Sequence, residues 1–442
     1  MRGLRTDCNF VSKMNLTATR KLKGRITLPG DKSISHRVAL IGALASGGSE
    51  ISNFSTAQDC ASTLGCLKQL GVSIQLQDGF LRFAGGEKLT APREPLDCGN
   101  SGSTMRILAG VLAGHNFAAE LVGDESLSSR PMRRIIEPLE IMGARIESND
   151  GKPPLRIAGS DRLNPITYQL PVASAQVKSA ILFAALFANG RTTVIEKSTS
   201  RDHTERLFNG FGVPIATSSD LSITIDGPAR FTGGAITIPG DISSAAYFIA
   251  AAMLLPNSEL TIEAVGLNPT RAAFLSVFRS WGAQITTTDL RSERNEPIGT
   301  INVNGGLRLA ARDKDRVLSG SMIPSLIDEL PLLAVVGTQL RGGIQIRDAE
   351  ELRLKESDRL QATATNLRAM GANVEEFDDG LAVSGPTQLR GAAIESYGDH
   401  RIAMAFSVAA LFAEGETEIK NSECVAVSFP EFFELLNSLA ER

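Results

Sequence analysis

Aromatic side chains are scarce in this chain of 442 residues, with one Trp and three Tyr. With glycine plentiful, that favours many tight turns over an aromatic binding platform. Long apolar runs are missing too: a stretch such as Ile181 to Ala188 falls far short of the roughly 20 residues needed to cross a bilayer. The N-terminus, MRGLRTDCNFVSKM, has no apolar h-region, so no secretory signal is expected. The five cysteines, Cys8, Cys60, Cys66, Cys98 and Cys424, form no C-x-x-C pair and no disulfide framework. An odd count in a long chain suits a reducing compartment. The four His and five Cys show no ligand spacing, so neither a metal nor another cofactor is expected. A net charge of −4 without a Lys/Arg run argues against nucleic acid. These absences together predict a monomeric cytoplasmic enzyme that uses neither membrane nor nucleic acid.

Glycine is plentiful, at 41 residues, and part of it is periodic. A helix-like segment, a Gly, a small residue or Val, and a short β-like segment recur at Gly71, Gly143, Gly212, Gly282 and Gly371. The interval is roughly 70 residues, with one longer step, which marks a repeated α/β unit. The helices are amphipathic: Leu64, Leu67 and Leu70 share one stripe, and Leu360, Leu367 and Met370 another. A Gly just past such a helix can take the left-handed conformation that a Cβ resists. A sixth helix fits Pro430 to Ala440, after which the chain is expected to stop before another strand.

A second repeat divides the chain. Leu28-Pro29-Gly30-Asp31 returns as Ile238-Pro239-Gly240-Asp241, each ending a β-like stretch and starting a helix capped by Asp or Ser. Two matching strand-to-helix junctions suggest paired crossings between two pseudo-symmetric domains. The segment up to residue 14 reads as a flexible extension, with Met14 a candidate natural start.

Charged and hydroxyl residues gather at the predicted helix starts. LPGDKSISHR, from Leu28, is not a Walker A loop, because Asp31 separates Gly30 from Lys32. It still offers free N–H groups, Ser33 and Ser35, and the cations Lys32 and Arg37 to a phosphate or carboxylate. NSGSTMR (Asn100–Arg106) lets a backbone approach a ligand at Gly102, and Arg130 opens another helix behind Ser129. SAQVKS sets Ser174, Gln176 and Lys178 before an apolar helix. Asp328 and Glu329 precede Pro331; LKESDRL holds Lys355, Glu356 and Arg359; GDHRIAM holds His400 and Arg401. Taken singly, each has a plain explanation as a helix cap or a solvated charge, and Glu356 with Arg359 as a surface ion pair of about 0.3 kcal/mol. Their shared placement changes the reading. If each unit turns its helix starts toward one cleft, that cleft collects cations and backbone donors for a polyanionic ligand, or for two.

These segments, with the second PGD, SRPM and SFPEF, occur in the order found in EPSP synthases, which the chain resembles from Leu28 to Phe432. SAQVKS and KESDRL resemble the family's second class. The resemblance implies an α/β fold of two pseudo-symmetric domains, each of three βαβαββ units in an inside-out barrel. One domain would comprise 15–29 plus 241–442 and the other 30–240, with the active site between them. It implies transfer of the enolpyruvyl group of phosphoenolpyruvate to shikimate 3-phosphate. Shikimate 3-phosphate would contact Lys32, Ser33, Arg37, Ser174, Ala175, Gln176, Arg201, Asp328 and Lys355. Phosphoenolpyruvate would contact Lys32, Gly102, Arg130, Gln176, Glu356, Arg359 and Arg401. Lys32, Asp328 and Glu356 become the catalytic candidates, and glyphosate the expected inhibitor.

One departure stands out: some members carry a Lys before Ser/Thr-Phe-Pro, where this chain has Val427. The nearest competing reading is the sister transferase acting on UDP-N-acetylglucosamine, whose first motif has Lys-Asn in place of Lys32-Ser33. A silent anion-binding protein on the same scaffold would have lost Asp328, Glu356 or the arginines, and all are present.

Overall fold

The computed structural model describes residues 13–86, 88–306 and 309–441. Its strands form six small sheets. In five of them a parallel pair is followed by two antiparallel strands, as in Leu96–Asp97, Ala118–Val122, Lys152–Ala158 and Arg145–Asn149. Five units run strand, inner helix, strand, outer helix, β-hairpin, and the sixth has a two-residue strand in place of the hairpin. The inner helices are Lys32–Leu44, Gly102–Ala113, Ala175–Ala185, Ile242–Leu254, Leu330–Gly337 and His400–Ala410. They are buried nearly all round, which explains why their sequences are apolar without a polar stripe. The outer helices end at Gly71, Gly143, Gly212, Gly282 and Gly371, all with φ between +84° and +108°. The periodic glycines are therefore helix terminators that a Cβ would strain.

Two hydrophobic cores share out the chain. One runs from Ile34 to Ile238. The other joins Leu16, Leu22, Ile26 and Leu28 to Ile242 and beyond, as far as Leu439. We refer to these as the first and second lobes. The chain changes lobe at both PGD turns by an exchange of strands. Strand Lys21–Thr27 feeds the first lobe's helix yet pairs with Glu259–Gly266 in the second, while Ala235–Thr237 pairs with Ser49–Ser52 in the first. The two turns are locked together, with Asp31 N–H donating to the Pro239 carbonyl at 2.8 Å and Asp241 N–H to that of Pro29 at 3.1 Å. A Cβ on Gly30 would overlap the Asn53 carbonyl, so this turn requires glycine.

The termini depart in detail from the sequence reading. Strand Lys13–Thr17 pairs with Glu416–Lys420, so Lys13 and Met14, counted with the extension, belong to a sheet; residues 1–12 lie outside the described residues. The last helix, Phe432–Leu439, continues into a two-residue strand, Ala440–Glu441, against Lys21 and Leu22. Cys60, Cys66, Cys98 and Cys424 are free thiols. Among the described residues no single helix is long and apolar enough to cross a membrane.

Candidate active site

Between the lobes lies a cleft onto which the inner helices open. In the first lobe Asp31, Ser101 and Ser174 cap the Lys32, Gly102 and Ala175 helices, their side chains accepting from Ile34, Thr104 and Val177 N–H. In the second lobe Asp241 and Asp399 do the same for the Ile242 and His400 helices. With caps taking the inner N–H groups, the positive helix ends and the side chains of the first turns face the cleft.

Lys32, Ser33, Gly102, Arg130, Ser174, Ala175, Gln176 and Arg201 line it from the first lobe, and Asp328, Lys355, Glu356, Arg359 and Arg401 from the second. Thus the expected site residues come together with one exception. Arg37 does not line the cleft. Its guanidinium is held by the Thr204 hydroxyl (2.7 Å), the Ser33 carbonyl (2.8 Å) and the Ser179 hydroxyl (2.7 Å), so it supports Ser33 from behind. Lys178 is also turned away, with its ammonium 3.0 Å from Glu196 and 2.6 Å from Glu205.

The cleft contains cations that the motifs did not single out: Arg106, Arg134 and Arg271. Arg106 stands one helical turn beyond Gly102 and therefore on the same face, a spacing that could have signalled it. Its Nη1 donates to Gln176 at 2.7 Å, and burial with Arg130 nearby pushes its pKa down to about 10. Arg271 reaches Ser33 Oγ at 3.3 Å and Ser243 Oγ at 2.5 Å, joining the lobes at the base of the cleft.

The electrostatic centre is Arg359, which is 1% exposed. Its guanidinium contacts Asp399 at 2.7 Å, Glu356 at 2.6 Å and Asp328 at 3.5 Å. This is no surface pair of a few tenths of a kcal/mol: the i, i+3 spacing was legible, its burial was not. Asp328 also pairs with Arg201 across the cleft and with Arg401 at 3.4 Å. Burial alone would raise the Asp328 pKa, yet Arg201, Arg401, Lys355 and Arg359 hold it well below the usual carboxylate range. Glu356 is held well below its range likewise, with Arg359, Arg130 and Lys32 outweighing burial. Lys32, 2.9 Å from Asp59, keeps a raised pKa although burial opposes it.

His400 sits at the cleft with Nε2 buried and lacking a hydrogen-bond partner among the described residues. Burial and the charges of Lys32 and Arg401 push its pKa well down, so its imidazole is neutral at neutral pH. No cluster of three or more His, Cys, Asp or Glu suited to a metal occurs among the described residues. Such a cleft can hold two polyanions, keep two carboxylates ionised and keep one ammonium protonated.

Comparison with known proteins returns the same picture. The family model described as EPSP synthase (3-phosphoshikimate 1-carboxyvinyltransferase) matches residues 16–436. A 3-phosphoshikimate 1-carboxyvinyltransferase of Koribacter versatilis is 51% identical over 95% of this chain and 97% of its own length. One from Akkermansia muciniphila is 50% identical over 93% of this chain and 96% of its own. The solved structure of EPSP synthase from Acinetobacter baumannii superposes with a TM-score of 0.85 at 39% identity, covering 97% of this chain and 98% of that one.

Proposed function

The chain belongs to the EPSP synthase family, and from that premise we propose how the residues of its cleft divide the work. The enzyme transfers the enolpyruvyl group of phosphoenolpyruvate to the 5-hydroxyl of shikimate 3-phosphate, giving 5-enolpyruvylshikimate 3-phosphate and phosphate. The observation that carries the division of roles is the cleft's charge arrangement. Cations of both lobes surround two ionised carboxylates and are paired with them.

Shikimate 3-phosphate takes the side formed by Ser33, Ser174, Ala175, Gln176, Arg201 and Lys355, with Asp328 at its reacting hydroxyl. Phosphoenolpyruvate takes the side formed by Gly102, Arg130, Arg359 and Arg401, and Lys32 stands between the two. Arginine suits both because its planar fork binds a carboxylate or phosphate with two hydrogen bonds. Arg106 and Arg134 add positive charge on the donor side, in a chain that has Val427 where some members have a Lys.

The reaction needs two proton transfers at carbon and two at oxygen, one from the 5-hydroxyl and one to the departing phosphate. Asp328, ionised, accepts the proton of the 5-hydroxyl as that oxygen bonds to C2 of phosphoenolpyruvate. C3 gains a proton in the same addition, giving a tetrahedral adduct that keeps the phosphate. Loss of a proton from C3 to Glu356 and of phosphate from C2 then restores the double bond in the product; the freed phosphate oxygen takes up one proton, and Asp328 gives up the one it took from the hydroxyl. Glu356 serves C3 in both directions. Its low pKa comes from Arg359 and Arg130, and anions that draw those guanidiniums away raise it toward the value an acid requires. Lys32 keeps its proton and holds the phosphate as charge builds on it.

Glyphosate occupies the donor side in this reading, next to Gly102. A Cβ at Gly102 would lie 2.8 Å from Arg106 Nη1 and 3.5 Å from Arg130 Nη1. The nearer atom ends a flexible side chain, so Gly102→Ala is expected to fold normally while narrowing the donor side. We expect its inhibition constant for glyphosate, measured at saturating shikimate 3-phosphate, to rise roughly tenfold or more, the cost of one overpacked methyl. An inhibition constant equal to that of the unmodified enzyme would remove glyphosate from this position.

A further inference from the structure

Lys178 is one of the largest fully buried side chains of the molecule, and the reaction as derived gives it no part. It lies one turn after Ser174 and two residues after Gln176, both of which line the cleft, yet it does not line the cleft itself. There it meets two carboxylates from different elements. Glu196 follows strand Gly190–Ile195, and Glu205 belongs to helix His203–Gly210. Both are less than a tenth exposed. The second oxygen of Glu196 accepts from the Ser200 N–H at 3.2 Å and from the Ser200 hydroxyl. Ser200 and Arg201 line the cleft, and Arg201 crosses it to Asp328. Beside Glu205, the Thr204 hydroxyl meets Ser179 at 2.7 Å and receives Arg37, the support of Ser33.

We propose that Lys178 is a positioning residue: through Glu196, which holds the Ser200 N–H and hydroxyl, it fixes the Ser200–Arg201 segment so that the acceptor's anionic group is met by a preset guanidinium. The physical reason is the length of the connection. Between strand Gly190–Ile195 and helix His203–Gly210 the chain has no regular secondary structure to hold it. The buried ion pair ties its start to the Ala175–Ala185 helix, which carries Ser174, Ala175 and Gln176 on the same side of the cleft. A dry Lys178–Glu196 pair, with both Glu196 oxygens hydrogen-bonded, is weak as a source of stability but strict about geometry, and that is what a preset anion site requires. The inference rests on the acceptor-side assignment of Arg201 made above.

The test is a double-mutant cycle between Lys178→Met and Ser200→Ala, read as KM for each substrate and kcat. Ser200→Ala alone is expected to raise KM for shikimate 3-phosphate roughly tenfold and leave KM for phosphoenolpyruvate within about twofold. Lys178→Met should show the same split, and in the Ser200→Ala background should add less than about a twofold further change, because both act through one contact. Lys178→Arg, which can still serve both carboxylates, should recover most of the loss. Should Lys178→Met fail to fold, Glu196→Gln takes its place in the same cycle, since it keeps the side chain's volume. Independent, multiplicative effects would overturn the proposal, as would equal changes in both KM values with a fall in kcat. If Ser200→Ala itself moves KM for phosphoenolpyruvate and leaves that for shikimate 3-phosphate alone, the acceptor-side assignment is what fails.

Discussion

Asp328→Asn is expected to lower kcat by roughly 10²–10⁴-fold, the usual worth of a placed acid–base group, without raising KM for shikimate 3-phosphate. The side chain keeps its size and one acceptor oxygen, so the contacts around it survive. What it loses is the ability to take a proton and the charge that Arg201, Arg401 and Arg359 now neutralise. Those guanidiniums, no longer neutralised by that carboxylate, still meet substrate anions, which is why binding should not weaken. Glu356→Gln is expected to fall in the same range, because it removes the group serving C3 and leaves the Arg359 and Arg130 contacts to a neutral amide. Steady-state kinetics on the two purified variants separates the cases. A loss lying wholly in KM would make either residue a binding group and return the proton transfers to another candidate, such as His400, whose Nε2 lacks a partner among the described residues.

The second large effect concerns stability. Arg359→Met is expected to cost about 3–5 kcal/mol at pH 7, since it strands Asp399, Glu356 and Asp328 in a buried site with one fewer cation. The pH dependence distinguishes this from lost packing. In the unmodified protein Asp328 and Glu356 have depressed pKa values, so their contribution is complete above the unfolded carboxylate values near 4. It is lost only as pH falls through the lower, folded values. Without Arg359 both folded values move up, and protonation relieves the variant at a pH where the unmodified protein needs no relief. The gap between the two should therefore be widest at neutral pH and narrow as pH is lowered toward 4. Urea unfolding at pH 7 and 4.5 measures it, and a gap independent of pH would leave packing as the explanation.

What could be read from the sequence was what is decided locally. The glycines at 71, 143, 212, 282 and 371 mark outer helix ends because a positive φ is a property of one residue and its neighbours. The two PGD turns were legible for the same reason: Asp31 and Asp241 cap helices whatever surrounds them. The cleft residues came mostly from motifs whose order matches a known family. The failures share a physical cause, since a cation at a helix start can turn toward the cleft or away from it with little change in local sequence. Arg37 and Lys178 turn to buried partners that lie far along the chain, at Thr204, Ser179, Glu196 and Glu205, and no local pattern announces those encounters. Arg271 is the reverse case, a cation in an unremarkable segment that tertiary structure brings to Ser33 and Ser243. Likewise, spacing revealed the Glu356–Arg359 pair, and only the packing of both lobes made it the buried centre of the site.

The central claim is that this cleft joins phosphoenolpyruvate to shikimate 3-phosphate. Phosphate release from phosphoenolpyruvate, with shikimate 3-phosphate and UDP-N-acetylglucosamine offered in parallel, tests it most directly. Release with shikimate 3-phosphate alone is the predicted result; release with the sugar nucleotide alone, or with neither acceptor, would contradict the account.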